Sequence, residues 1–276
     1  MKILDGKKVN EKIRRSLLRE SKILKSQPTL KIIQVGDNGA SNIYIAQKIK
    51  FAETIGARAE VLRFGADARQ TEIVSVIKKI NADEKVHGII VQLPLPGRLD
   101  RNKIIDSIDP AKDVDGLTGL NISKLFRGDK DGMIPATTQG IIELLKFYKV
   151  PIVGKKVAIV GRSNLVGRPT AAQFLNLDAT VMICHSRTKN LKEILRTADI
   201  VISAVGKPEF LDKSFFNKKQ TVINVGISRD KDGKIVGDIK TVGLEVAALA
   251  PALGGVGPMT VACLFQNLFR ACKRRG

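Results

Sequence analysis

The sequence predicts an α/β protein of two domains, each built on a parallel sheet with helices on both faces. Short β-branched runs alternate with helical patterns along most of the chain, and this alternation is typical of parallel sheets. The chain has 276 residues, a length that suits two domains of about 100–150 residues each. A turn-rich segment, GDKDGMIPATTQ at 128–139, separates two series of strands and helices. It is the expected domain junction.

The first series spans residues 1–138, the expected amino-terminal domain. Short apolar runs in this region have the pattern of buried strands in a parallel sheet. Strands are predicted at 30–35, 59–64 and 87–93, with helices near 40–56 and 70–82 between them.

The second series spans residues 139–257, the expected carboxyl-terminal domain. Its predicted elements are helices at 139–149, 165–177 and 189–197 and strands at 156–160, 179–184, 198–205 and 220–226. A last helix at about 258–273 begins at Pro258, a residue favoured in the first turn of a helix. The segment 258–276 is expected to complete the first domain.

The composition is that of a globular protein. Hydrophobic residues make up 43% of the chain, whereas a disordered chain contains far fewer. No apolar run approaches the roughly 18 residues that cross a bilayer, and the charged start MKILDGKKVNEKIRRS lacks the apolar stretch of a signal peptide. Cys184, Cys263 and Cys272 have no metal-ligand spacing, so neither disulfides nor a metal site are expected. We therefore expect a cytoplasmic protein with no membrane partner.

The net charge of +20 is the unusual feature of the composition, and it indicates an anionic partner. Nucleic-acid-binding modules usually concentrate basic residues in stripes with aromatic residues between them. Here the basic residues are spread over the whole chain, aromatic residues make up 4%, and the densest cluster is Lys273-Arg274-Arg275. A solvated surface or small anionic ligands are therefore favoured over nucleic acid.

A glycine turn opens the second series, in KVAIVGRSNLVGRP. Gly161 follows a strand, and Gly167 comes six residues later, where close approach of a helix or a phosphate leaves no room for a Cβ. The free amides of the following helix would bind a pyrophosphate. Ser163 replaces the middle glycine of the usual G-x-G-x-x-G, so an ordinary strand–helix turn remains the alternative.

The next strand ends without a carboxylate, at CHSRT (184–188). Sites that prefer NAD carry an acidic residue there for the ribose 2′-hydroxyl. A serine hydroxyl and two cations, Arg162 and Arg187, suit a 2′-phosphate instead, which favours NADP over NAD. His185 fits either a strand end or a ligand contact, and His87 is expected to be structural.

A lysine interrupts an apolar stripe in the first series. Tyr44 and Lys48 are four residues apart and share a helix face, which Phe51 and Ile55 continue. In one interpretation the lysine stem packs and its amine reaches water. In the other, partial desolvation lowers the pKa of the amine towards neutrality and makes it a usable acid or base.

Polar side chains also lie at the end of the third predicted strand and in the loop that comes later. Gln92 is near its end, and Asp113 and Asp115 lie in the loop DPAKDVDGL. Ligands of open α/β sheets gather at strand ends, so an amide and a carboxylate there would orient a polar heterocycle. An aspartate-rich loop is, however, more often simple turn chemistry.

Taken together, these segments resemble the bifunctional methylenetetrahydrofolate dehydrogenase/methenyltetrahydrofolate cyclohydrolase family. The matching blocks occur in the family order and span residues 35–261. They are VGDNGASNIYIAQK (35–48), GIIVQLPLP (88–96), KDVDGLTGLN (112–121), GRSNLVGRP (161–169), CHSRT (184–188) and GGVGPMTV (254–261).

The resemblance implies a folate cleft between two α/β domains, a Rossmann-like second domain that binds NADP, and a homodimer. Lys48 is then the catalytic acid/base, Tyr44 stacks on the folate, Gln92 holds and tunes the lysine, and Asp115 anchors the pterin ring. The remaining implied folate contacts are Leu93, Gly255 and Pro258. The implied cofactor contacts are Gly161, Arg162, Ser163, Gly167, Ser186, Arg187 and Ile227.

The implied chemistry is hydride transfer from 5,10-methylenetetrahydrofolate to NADP, followed by hydrolysis of the methenyl product to 10-formyltetrahydrofolate. The cationic product and the basic surface are expected to lower the pKa of Lys48 further. Two alternatives remain: a variant that has kept one of the two activities, and a nucleic-acid-binding protein on the same scaffold.

The chain departs from the family pattern at several positions near the expected sites. Ala136 and Thr138 replace the cysteine and the last proline of P-C-T-P, Asn224 replaces an aspartate, and residues 250–253 differ from T-P-V-P. These departures bear on the balance of the two activities and on cofactor preference.

Overall fold

The structure is a computed structural model that describes residues 1–274, with the side chain of Ala40 excepted. Within those residues the chain forms nine α-helices, eleven β-strands and a short 3-10 helix at Lys213–Phe215. The helices are α1 (Gly6–Ser21), α2 (Gly39–Thr54), α3 (Gln70–Ala82), α4 (Arg101–Asp106), α5 (Gly119–Arg127), α6 (Ala136–Phe147), α7 (Gly167–Leu175), α8 (Leu191–Thr197) and α9 (Val256–Lys273). The strands are β1 (Lys2–Ile3), β2 (Thr29–Val35), β3 (Arg58–Phe64), β4 (Gly88–Val91), β5 (Lys156–Val160), β6 (Thr180–Cys184), β7 (Ile200–Ser203), β8 (Thr221–Asn224), β9 (Ile227–Arg229), β10 (Ile235–Gly237) and β11 (Ala248–Ala250).

The chain divides into two compact units. The three-stranded unit comprises Glu11–Ala136 and Val261–Gly276, of which residues 275–276 lie outside the described residues, and the six-stranded unit comprises Met1–Asn10 and Thr137–Thr260. These limits differ from the predicted domains at the termini. Residues 1–10 group with the six-stranded unit because β1 pairs with β11. The last helix begins two residues before Pro258 and is divided between Thr260 and Val261.

The three-stranded unit has a parallel sheet in the order β3-β2-β4. Ile73, Ile77 and Ile80 recur on one face of α3 and are buried, so that this helix covers the sheet beside Ile33 and Ile89. A strand is present where one was predicted at 59–64, but the prediction that it is buried was wrong. β3 is an edge strand whose residues are all partly or fully exposed. Its outer side has no partner among the described strands, whereas residues 112–113 pair with the buried β4 at the other edge.

The six-stranded unit has a wholly parallel sheet in the order β1-β11-β8-β7-β5-β6. Its central strands are apolar runs buried on both faces, as in β7 and β8, which is the pattern of a doubly covered parallel sheet. The short antiparallel pair β9–β10 lies outside this sheet. The carboxyl ends of β5, β7 and β8 therefore share one edge.

Several elements, most of them short, were absent from the prediction. Helix α1 had a signal, since Val9, Ile13 and Leu17 recur every four residues and are buried, but the many charges between them obscured it. Strands β1 and β11 have two and three residues, too few for a periodic pattern. No helix within residues 1–274 is both long and apolar enough to cross a membrane.

Candidate active site

Lys48 lies on α2 and its amine points towards the end of β4. Lys48 Nζ donates a hydrogen bond of 2.7 Å to Gln92 Oε1. Gln92 directly follows β4, and its backbone N donates to Ile33 O at 2.8 Å. The sheet therefore places the glutamine, and the glutamine holds the lysine. The helix and the strand that carry the predicted pair meet in one unit.

The orientation of the Gln92 amide is set by a second hydrogen bond. Gln92 Nε2 donates to the carbonyl oxygen of Leu93 at 2.9 Å, so its Oε1 faces Lys48. The buried Ser41 also donates from Oγ to the Leu93 carbonyl, at 3.3 Å. The predicted contact Leu93 thus contributes a backbone oxygen that fixes its neighbour.

Asp115 lies near Lys48 and the two groups influence each other's charge. Burial lowers the pKa of the Lys48 amine from its usual value, and the Asp115 carboxylate opposes that shift. Burial raises the pKa of Asp115 to about 6, with Asp113 adding to the rise and Lys48 opposing it. Desolvation, one of the two interpretations drawn from the sequence, is thus the main cause for the lysine. The charge that acts on its amine is the Asp115 carboxylate.

The loop that carries Asp115 is organised by Asp113, which is itself buried. Its carboxylate accepts hydrogen bonds from Gly116 N at 2.9 Å, Thr118 N at 2.7 Å and Asn121 Nδ2 at 2.9 Å. Lys112 is fully buried as well, and its Nζ donates to the carbonyl oxygens at the end of α3. Asp113 is therefore the turn-forming aspartate, whereas Asp115 makes no comparable contact with the loop.

Asn121 and Asn267 also hold this loop, and neither role was predicted from the sequence. Asn121 Oδ1 accepts from Met133 N at 3.1 Å. Asn267, on α9, donates from Nδ2 to Val114 O and Ile134 O, each at 3.0 Å. No local signal marks Asn267, because more than 100 positions separate it from the backbone atoms that it binds.

Tyr44 lies one helical turn before Lys48 and is 44% exposed. The stripe predicted from the spacing becomes more buried along α2, since Phe51 packs against Phe265 with ring centroids 5.3 Å apart and Ile55 is fully buried. The amino-terminal end of the stripe therefore exposes the Tyr44 ring, one turn before the partly buried Lys48.

The six-stranded unit contains the predicted glycine turn after β5. Gly161 has a φ of +118°, which side chains rarely adopt. A Cβ on Gly167 would collide with the carbonyl oxygen of Gly161, so the start of α7 lies directly on the turn. Ser163 Oγ accepts from Val166 N at 3.2 Å and Gly167 N at 3.4 Å. The Ser163 hydroxyl therefore ties the turn to the start of α7.

Polar groups surround this turn at the carboxyl edge of the sheet. The Gly161 N–H donates to Cys184 O, which joins the turn to the end of β6. Ser186 and Arg187 follow that end and are exposed, as is Arg162. Ile227, the first residue of β9, is 37% exposed. Together these side chains leave cations and a hydroxyl free to meet phosphate groups.

The remaining predicted positions lie in separate settings. His185 Nδ1 accepts from Arg187 N at 3.2 Å, so it shapes the turn after β6. His87 is buried before β4 and accepts at Nδ1 from Thr29 N at 3.2 Å, which is a structural role. Gly255 and Pro258 lie in the six-stranded unit, and Pro258 O accepts from Asn10 Nδ2 at 2.6 Å.

Two residues that depart from the family pattern, Thr138 and Asn224, have hydrogen-bond partners for their side chains. The buried hydroxyls of Thr138 and Thr170 lie 3.1 Å apart and hydrogen-bond to each other. Asn224 accepts at Oδ1 from Asp238 N at 2.9 Å and donates from Nδ2 to Ile239 O at 3.4 Å. An aspartate at 224 would lack that donor. The chain therefore accommodates these replacements with satisfied polar groups.

These features define a class of protein: a parallel α/β unit with a dinucleotide-type glycine turn, joined to a second α/β unit that carries a desolvated lysine. Sequence profiles of the tetrahydrofolate dehydrogenase/cyclohydrolase family match at residues 4–115, with its catalytic domain, and at residues 135–276, with its NAD(P)-binding domain. The chain belongs to this family, which confirms the resemblance and the predicted fold class.

Similar proteins cover essentially the whole chain. A bifunctional protein FolD from Ligilactobacillus salivarius is 44% identical over an alignment that covers 99% of this chain and 97% of that protein. The crystal structure of the bifunctional enzyme FolD from Campylobacter jejuni has 39% identity and a TM-score of 0.98, and all of both chains is covered. The Trypanosoma brucei enzyme, complexed with NADP and an inhibitor, has 32% identity and a TM-score of 0.93, over 99% of this chain and 97% of that chain.

Proposed function

We propose that the chain catalyses two consecutive reactions of one-carbon folate metabolism. The first oxidises 5,10-methylenetetrahydrofolate to 5,10-methenyltetrahydrofolate, with NADP as the hydride acceptor. The second hydrolyses the methenyl product to 10-formyltetrahydrofolate. Membership of the family supports both activities. The observation that carries the assignment of the site is the desolvated Lys48 amine, which Gln92 holds beside Asp115.

Lys48 is the proton-transfer group in this proposal. Addition of water to the methenyl carbon gives a protonated adduct, and opening of the ring requires a proton to move between oxygen and nitrogen. An amine does this best when its pKa is near the working pH. Burial shifts the pKa of Lys48 in that direction. The Gln92 oxygen accepts a hydrogen bond from the amine. This contact orients the rest of the amine, including its lone pair when neutral, towards the substrate.

Asp115 and Tyr44 are the proposed folate-positioning residues. The pterin ring offers adjacent N–H donors, for which an aspartate oxygen is a suitable acceptor. Asp115 is held close to Lys48 yet contributes no hydrogen bond to its own loop, which leaves its oxygens available. Tyr44 exposes an aromatic face on which a planar ring stacks favourably. Leu93, Gly255 and Pro258 remain proposed folate contacts.

The glycine turn fits a dinucleotide, since Gly161 and Gly167 remove the side chains that would block a pyrophosphate at the start of α7. Ser163, Ser186, Arg162 and Arg187 would hold the phosphates, and Ile227 would pack against the cofactor. When bound, NADP supplies the nicotinamide that accepts hydride. The absence of a carboxylate after β6 supports NADP rather than NAD.

The proposal also includes a cytoplasmic homodimer without a metal. The family resemblance supports the dimer. Among the described residues no disulfide joins any of the cysteines, as is usual in a reducing compartment. Those residues also contain no group of three or more His, Cys, Asp or Glu that suits a metal ion. Part of the basic surface would attract folate carboxylates and NADP phosphates.

The test follows NADPH formation from methylenetetrahydrofolate and, separately, hydrolysis of methenyltetrahydrofolate. We expect the wild-type protein to carry out both reactions and Lys48→Ala to lose the hydrolysis. Lys50→Ala, on the exposed side of the same helix, is the matched control and should retain both. Absence of both activities from the wild-type protein would contradict the assignment, and full hydrolysis by Lys48→Ala would contradict the role of the lysine.

A further inference from the structure

Asp238 is a buried carboxylate that the proposed chemistry does not use. It directly follows β10 and has no solvent exposure. Its oxygens accept hydrogen bonds from Ser203 Oγ at 2.9 Å, Val205 N at 2.8 Å and Lys207 N at 2.9 Å. A charge is retained in a protein interior only where such donors replace its lost hydration. The three hydrogen bonds therefore fix the 203–207 segment to Asp238.

The donors belong to the segment that follows β7. Ser203 is the last residue of that strand, and residues 204–207 continue along the carboxyl edge of the sheet. The Ala204 carbonyl oxygen lies 2.5 Å from the place that a Cβ on Gly161 would occupy. The segment that Asp238 holds is thus in direct contact with the glycine turn.

Asp238 also joins two further elements at this edge. Its backbone N donates to Asn224 Oδ1 at 2.9 Å, at the end of β8. A Cβ on Gly226 would collide with both carboxylate oxygens, so the chain before Ile227 packs directly on Asp238. Ile227 begins the β9–β10 pair, and Gly237 ends it next to Asp238.

We propose that Asp238 is a positioning residue for the dinucleotide: it locks the 203–207 segment and the start of the β9–β10 pair against the Gly161 turn. This inference rests on the proposed function, which assigns NADP to that edge. Cofactors of open α/β sheets bind outside the carboxyl ends of the strands. Segments that are ordered before binding lose less entropy when the ligand arrives. Asp238 acts through the backbone that it holds and touches no reacting group.

Asp238→Asn tests the proposal with little change in volume. An amide presents only one oxygen. Its NH₂ group must therefore face either the Lys207 N–H or the pair formed by the Val205 N–H and the Ser203 hydroxyl. In either orientation at least one hydrogen bond is lost. We expect the Kd for NADP, measured by calorimetry, to rise by about ten-fold or more. Amide hydrogen exchange at 203–207 in the unliganded protein should become faster. Ser203→Ala, which removes one donor, is the milder second variant and should shift both measurements in the same direction.

The two activities supply a further comparison because only the dehydrogenase reaction uses NADP. The variant should show a raised KM for NADP and a cyclohydrolase rate within about two-fold of wild type, whereas simple unfolding would lower both activities together. Gln220→Ala is the matched control. Gln220 is similarly buried and, at the opposite, amino-terminal end of β8, holds the end of α8 through Leu195 O and Ala198 O. It should lower the melting temperature without weakening NADP binding.

Unchanged NADP affinity in a folded Asp238→Asn protein would overturn the inference, as would an equal loss of affinity in Gln220→Ala. Should Asp238→Asn fail to fold, unchanged NADP affinity in Ser203→Ala would overturn the inference instead. A wild-type protein that binds no NADP would contradict the proposed function itself, and the inference with it.

Discussion

Gln92 receives a hydrogen bond from Lys48 and donates one to Leu93 O, at 2.7 and 2.9 Å. One amide therefore both accepts a hydrogen bond from the Lys48 amine and has its own orientation fixed by Leu93. We expect Gln92→Ala to lower the cyclohydrolase rate constant about 10- to 100-fold, the effect of losing one hydrogen bond to a charged group. Gln27→Ala, an exposed amide bound to Gly56 O in the same unit, should leave the rate unchanged. A Gln92→Ala enzyme as fast as wild type would show that the amide is dispensable.

The charge state of Lys48 predicts a pH dependence. Only the neutral amine is a base, so cyclohydrolase activity should rise with pH through the pKa of Lys48. Since burial lowers that pKa, the midpoint should lie below the ordinary value of about 10.4. Gln92→Glu places a carboxylate beside the amine, favours its charged form and should move the midpoint to higher pH. A pH profile with the same midpoint in both proteins would contradict this interpretation.

Asp115 should reduce stability at neutral pH. Its pKa is raised to about 6 in the folded protein, whereas an unfolded aspartate titrates near 3.9. Between these values the folded state binds more protons, so stability falls as pH rises through that range. Asp115→Asn should therefore gain free energy of unfolding relative to wild type between about pH 4 and 6, while folate binding is lost.

Urea denaturation at several pH values measures this difference. Glu53→Gln, an exposed neutralising change on α2, is the control and should show no such gain. A difference between Asp115→Asn and wild type that stays constant from pH 4 to 7 would mean that the aspartate titrates normally.

Asn267 should affect folate binding from a distance. Asn267→Ala leaves the carbonyl oxygens of Val114 and Ile134 without their donor, at a cost of about 1–3 kcal/mol in stability. Because Val114 precedes Asp115, we expect a raised KM for folate in both reactions and unchanged affinity for NADP. Asn217→Ala removes a similar amide contact, to Arg196 O in the six-stranded unit, and should reduce stability alone. Equal KM values in the two variants would argue against a specific effect on the Asp115 loop.

Ser186 should influence the choice between NADP and NAD. Ser186→Asp restores the carboxylate that NAD sites carry after the second strand and places a negative charge where a 2′-phosphate would bind. We expect the ratio of kcat/KM for NADP to that for NAD to fall by about ten-fold or more. Thr197→Asp, exposed at the opposite end of the sheet, should leave the ratio unchanged. A constant ratio in Ser186→Asp would place the 2′-phosphate elsewhere.

Much of the fold follows from local pattern. Strand β5 and helix α3 were predicted with their observed limits, and β2, β3 and α2 within one or two residues, because each is an apolar or amphipathic run between turn residues. The burial of β3 was not predictable, since it depends on which segments pack beside an edge strand. Strand β1 has only two residues and depends on a partner, β11, at the far end of the chain.

The alternating α/β architecture and the glycine turn follow from the sequence alone, as do the motifs around Lys48, Gln92 and Asp115 that mark the family. These are properties of residue type and short spacing. Folding is needed to desolvate Lys48 and to orient the Gln92 amide. It is also needed to bring Asn267 to Val114 and Asp238 to the 203–207 segment. Those features depend on contacts between residues far apart in sequence, and burial, hydrogen-bond geometry and pKa arise only when folding brings such groups together.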